Sequence, residues 1–86
     1  MKVEVTVPEY AAEIGLRIDW EPEAVIQVAV HEDEVLLKAD RGGLVTLGRL
    51  LLSLAQDGIE DGFHVHLDPS NGLQDGSAEL IIEVGS

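Results

Sequence analysis

The chain has 86 residues, enough for one domain with one hydrophobic core, and a domain of that size buries only about 60–65% of its unfolded surface. Seventeen Asp and Glu against five Lys and Arg give a formal net charge of −12, a field that repels nucleic acid and anionic membrane and draws basic partners. The absence of cysteine excludes disulfides, thiolate metal sites and thiol catalysis.

Lys2 to Val7 alternates strictly, with Val3, Val5 and Val7 on one face, which predicts a half-buried strand ended by Pro8. The opening residues have no apolar h-region and Leu50-Leu51-Leu52 is far too short to span a bilayer, so the expectation is a cytoplasmic chain without an export signal. Leu16 to Trp20 alternates again and predicts a second short strand, closed by Pro22. Ala24 to Val30 and Val35 to Asp40 then read as a hairpin around the acidic turn His31-Glu32-Asp33-Glu34. Ile26, Val28 and Val30 are expected inward on one arm, and Val35, Leu37 and Ala39 on the other.

After Gly42-Gly43 an amphipathic helix is predicted over 43–57, its stripe made of Leu44, Leu47, Gly48, Leu51, Leu54 and Ala55. Thr46, Arg49, Ser53 and Gln56 fall on its other faces. Gly58 suits a C-terminal cap, and Gly48 suits close approach of the helix to the sheet. Phe63 to Asp68 alternates with Phe63, Val65 and Leu67 inward. Pro69-Ser70-Asn71-Gly72 has turn chemistry, and Ala78 to Val84 closes the chain as a strand. The predicted fold is α+β: a mainly antiparallel sheet of about five to six strands with one helix on one face.

The sharpest chemical pattern is His64-Val65-His66-Leu67-Asp68. Alternate strand residues share a face, so two imidazoles and a carboxylate project together and could hold Zn²⁺ or act as an acid–base pair. The same alternation also describes an ordinary solvent face, or a face that binds a partner. No cofactor is expected, and no nucleophile oriented by a base is visible.

Gly42-Gly43 lacks the rest of a phosphate-binding motif, and Glu32-Asp33-Glu34 lacks the spacing of a calcium loop. Carboxylates are dense at Glu9, Glu13, Asp19, Glu21 and Glu23, and again at Asp57, Glu60 and Asp61. Val45 and Leu52, seven residues apart and flanked by Leu50 and Arg49, form a second helix face suited to a homodimer or partner contact. The acidity itself has two readings, solubility or an electropositive partner.

The run from Gly43 through Leu47, Leu51-Leu52 and Leu54-Ala55-Gln56 to Asp61-Gly62, the strand His64-Val65-His66-Leu67-Asp68, Gly72-Leu73, and Gly76-Ser77 to Ile82 resembles the immunity protein 32 family of bacterial polymorphic toxin systems. The resemblance covers residues 42 to 84. It implies a small bacterial cytoplasmic protein that binds and neutralises a cognate toxin domain, with no enzymatic activity. A basic toxin such as a nuclease suits the charge. The surfaces open to that partner are His64, His66 and Asp68; the acidic groups Asp57, Glu60, Asp61, Glu32, Asp33 and Glu34; and the Val45, Arg49 and Leu52 face.

Overall fold

The computed structural model describes residues 1–85. The order of elements is β1 (Ile26–His31), β2 (Glu34–Ala39), α1 (Arg41–Leu54), β3 (His64–Leu67) and β4 (Leu80–Glu83). The α+β class is as predicted, but the sheet is not: the four strands form two antiparallel pairs, β1 with β2 and β3 with β4. The segment 74–78 stitches the pairs together. Gln74 N–H donates to the Ile26 carbonyl and Ala78 N–H to the Val28 carbonyl, both at 2.9 Å, while Val28 N–H donates to Ser77 Oγ.

The two predicted N-terminal strands are absent among the described residues. Their alternation is real at Val5, Val7, Leu16, Ile18 and Trp20, each half-buried, but Val3, expected on the same face, is exposed. What they lack is a ladder. They are fastened by side chains of α1 and of Gln56 just past its end: Gln56 bonds the backbone of Pro8 and Tyr10, Arg49 bonds the Asp19 carbonyl, and Thr46 Oγ1 accepts from Glu21 N–H. Period two reports one-sided burial, which an extended segment laid on a helix satisfies as well as a strand does.

The hairpin turns in two residues, Glu32 and Asp33, because His31 pairs with Glu34. Glu32 takes φ 55°, the left-handed geometry that tight hairpins demand at a turn position. Ile26 and Val28 are in the core, but Val30, Val35 and Leu37, expected inward, are exposed. The sheet outruns the helix, and the far end of the hairpin has nothing above it.

α1 starts two residues before its predicted position and ends three before. Asp40 is the N-cap: its Oδ1 accepts from Gly43 N–H at 2.7 Å and from Val25 N–H at 3.0 Å, joining the helix start to the base of the hairpin. The C-cap is Ala55, so Gly58, although at φ 92°, lies beyond the end. The buried face is Gly43, Thr46, Leu47, Leu50, Ser53 and Leu54, rotated by one residue from the predicted stripe. Leu44 and Leu51 are consequently exposed.

Gly43 explains the rotation. A Cβ there would overlap the Val25 carbonyl and meet Ile26 Cγ1 at 2.9 Å, whereas one at Gly48 would meet nothing within 4 Å. The close approach assigned to Gly48 therefore belongs to Gly43. Ile26, Val28, Leu47, Leu50, Leu54, Leu67 and Leu73 make the core, with Trp20, Phe63 and Leu80 among the half-buried residues packed on it.

Candidate functional site

The β3–β4 hairpin presents the histidine face as the alternation requires: Val65 and Leu67 turn inward, His64 and His66 outward. The two rings meet edge to face with centroids 4.9 Å apart. His64 Nδ1 lies 3.0 Å from the Gly62 carbonyl and His66 Nδ1 lies 3.2 Å from Glu79 Oε2. Both partners accept, so each contact is a hydrogen bond when the ring carries a proton on Nδ1. Glu83 Oε1 stands 3.9 Å from His64 Nδ1, across the strand pair. With these side chains about half exposed, such pairs contribute about 0–1 kcal/mol each.

Asp68 does not join them. Its Oδ1 accepts from the backbone N–H and the hydroxyl of Ser70, at 2.9 and 2.7 Å, and so builds the turn after β3. The trio His64, His66 and Asp68 is not assembled as a set of ligands. Among the described residues no group of three or more His, Asp or Glu is placed to hold a metal ion.

The acidic candidates fall into two exposed groups. Glu32, Asp33 and Glu34 occupy the tip of the β1–β2 hairpin; Asp57, Glu60 and Asp61 lie in the loop between α1 and β3. Among the described residues, none of these six carboxylates makes an ion pair. Both groups therefore face solvent with no cationic side chain against them among the described residues. Asp40 is different in kind. The N–H groups of Val25 and Gly43 hold its carboxyl below the ordinary carboxylate value, which marks it as a structural anion.

The helix face splits. Arg49 is turned away from Val45 and Leu52, its guanidinium bonded to the Asp19 carbonyl at 2.9 Å and to Glu21 Oε2 at 3.2 Å. It secures the segment before β1 and leaves the candidate contact surface. Val45 and Leu52 instead form one wall of an open groove of about 590 Å³, with Gly48 between them. The opposite wall is Met1, Val3 and Val5, and Arg41 stands at one end. The seven-residue spacing found the helix wall; the N-terminal wall depends on how the extended segment is laid down.

Residues 34–85, which is 52 of the 86 in the chain, match the family model described as Immunity protein 32. The chain belongs to the immunity protein 32 family. No curated protein and no solved structure matches it. The immunity protein 32 region begins on the first residue of β2 and takes in α1, β3 and β4, so it is wider than the 42–84 resemblance read from the sequence. It contains the histidine face, the loop carboxylates, Glu34 and the helix wall of the groove, and leaves out Glu32, Asp33 and the N-terminal wall. No helix among the described residues is long and apolar enough to cross a membrane.

Proposed function

We propose that this protein neutralises a cognate toxin domain by one-to-one binding, without catalysis of its own, in the cytoplasm of the producing bacterium. Family membership supplies the class of role. The observation that carries the mechanism is the charge: a net −12, with six carboxylates at the hairpin tip and in the loop after α1 that make no ion pair among the described residues. Such a field speeds encounter with a cationic surface and selects against anionic ones. A basic toxin, such as a nuclease whose groove must hold a phosphate backbone, offers the matching surface.

Co-expression with the toxin domain encoded beside it tests the role: cells carrying both survive, and cells carrying the toxin domain alone do not. The mechanism is tested by association kinetics against ionic strength. The rate constant for association falls steeply as salt rises, and charge-neutralising changes at Glu32, Asp33 and Glu34 or at Asp57, Glu60 and Asp61 flatten that slope. A salt-independent rate with rescue intact removes the basic toxin and keeps the immunity role.

A further inference from the structure

β2 is an edge strand: among the described residues only β1 pairs with it. Asp40 N–H donates to the Val25 carbonyl at 3.1 Å, so the 25/40 pair is of the hydrogen-bonded kind. Antiparallel pairs alternate, and the pairs Ile26/Ala39, Val28/Leu37 and Val30/Val35 therefore turn their N–H and C=O groups outward. On β1 the outward groups of Ile26 and Val28 are taken up by the 74–78 segment. On β2 no hydrogen bond among the described residues reaches those of Val35, Leu37 and Ala39. The side chains there are aliphatic and open: Val35 is 67% exposed, Leu36 58% and Leu37 46%.

The outer edge of β3 is shorter and capped in part. β3 has four residues, and Asn71 Nδ2 caps the outward His66 carbonyl at 2.8 Å. The β2 edge is two residues longer and carries no such cap; four of its six residues are aliphatic, and its one lysine, Lys38, alternates away from Val35, Leu37 and Ala39, so that stretch is a template for another strand. Charge decides between occupants. Glu34 stands at one end of β2 and Asp40 just beyond the other, with Lys38 and Arg41 as the cations nearby; a second copy paired in register sets Glu34 opposite Asp40 or like residue beside like, and brings −12 against −12. A strand with basic residues at its ends meets neither penalty.

We infer that an extended strand of a basic toxin domain adds to the outer edge of β2, its alternate apolar side chains covering Val35 and Leu37 and its Lys or Arg residues beside Glu34 and Asp40. The inference rests on the toxin-neutralising role proposed above. Main-chain hydrogen bonds to Val35, Leu37 and Ala39 supply the affinity, and the acidic ends attract the basic residues of the incoming strand.

Amide hydrogen exchange on the intact protein, free and with an inactivated form of the toxin domain encoded beside it, locates the strand. Exchange at Val35, Leu37 and Ala39 slows strongly in the complex. Leu37→Pro removes an outward N–H without touching the β1–β2 ladder and weakens binding by about thirtyfold or more, on the scale of an interface hot spot. Leu37→Lys, which keeps the backbone, gives the same direction if the proline variant does not fold. Ile14→Ser, at an exposed aliphatic away from the edge, leaves affinity unchanged. A complex that forms with those three amides unprotected overturns the strand addition and leaves the immunity role standing. Protection in the free protein together with a doubled mass assigns the edge to a second copy and overturns the toxin strand. Absence of any complex overturns both readings together.

Discussion

The indole of Trp20 rests directly on the α-carbon of Gly72. Any Cβ at that position would overlap the indole at Cη2, and Gly72 also holds φ 97°, a conformation that disfavours side chains independently. The contact clamps the segment before β1 to the turn after β3, next to buried Leu73. Gly72→Ala is expected to cost about 3 kcal/mol or more, the sum of overpacking and backbone strain. Trp20 is the sole tryptophan, so urea unfolding followed by its fluorescence reads both stability and the loss of the clamp. A variant that unfolds at the same urea concentration with an unaltered native spectrum would show that the ring does not seat on Gly72.

The two glycines of α1 should respond to alanine with opposite signs. Gly48 faces open space in mid-helix, so Gly48→Ala is expected to stabilise by about 1 kcal/mol through helix propensity. Gly43→Ala drives a methyl into the Val25 carbonyl and Ile26, and is expected to destabilise by about 2 kcal/mol. Chemical denaturation of the two variants side by side checks the orientation of the helix, because the stripe through Leu44, Gly48 and Leu51 predicts the reverse order.

Ser53 is 1% exposed and its hydroxyl has no hydrogen-bond partner among the described residues, unlike Thr46 on the same face, whose Oγ1 accepts from Glu21 N–H. An unsatisfied buried hydroxyl is costly, and Ser53→Ala removes it while improving helix propensity. The expected gain is about 1 kcal/mol. Thr46→Val, nearly the same change in polarity, goes the other way because it strands the Glu21 N–H. Thermal midpoints of the pair separate the two cases.

These residues also explain what the sequence could and could not disclose. Leu47 and Leu54 belong to both possible helix stripes, so periodicity establishes the helix without fixing its rotation. Small Thr46, Ser53 and Gly43 fit where the helix lies closest to its neighbours, a steric requirement that hydropathy scores as polar surface. In β3 every alternate residue differs sharply in polarity, and the outward histidines and inward Val65 and Leu67 are legible directly. The hairpin fails for a third reason: Val30, Val35 and Leu37 have inward chemistry, and only the assembled fold reveals that the helix does not reach them. The free edge of β2 depends on strand order, and the groove beside Val45 and Leu52 on the course of residues 1–8. Neither is local. The family match begins at Glu34, and the N-terminal segments that misled the strand count lie outside it.

Asp40 gives the remaining prediction, and it concerns pH. Its carboxyl is held below the ordinary value by the Val25 and Gly43 N–H groups, so the charged form is favoured by folding. That contribution is fully present above the unfolded carboxylate value, roughly pH 3.9, and is lost as pH falls through the lower folded value. Asp40→Asn keeps an acceptor for both N–H groups but not the charge. The thermal midpoint of the variant should therefore lie below that of the native protein at neutral pH, and the two should converge in acid. Asp40→Ala removes the acceptor as well, loosening the helix start and the base of the hairpin together, and should remain less stable even after the native carboxyl is protonated. Midpoints recorded from neutral pH into the acid range for all three proteins check this, and a native-minus-Asn difference that stays constant with pH would show that the charge of Asp40 plays no part in joining Val25 to α1.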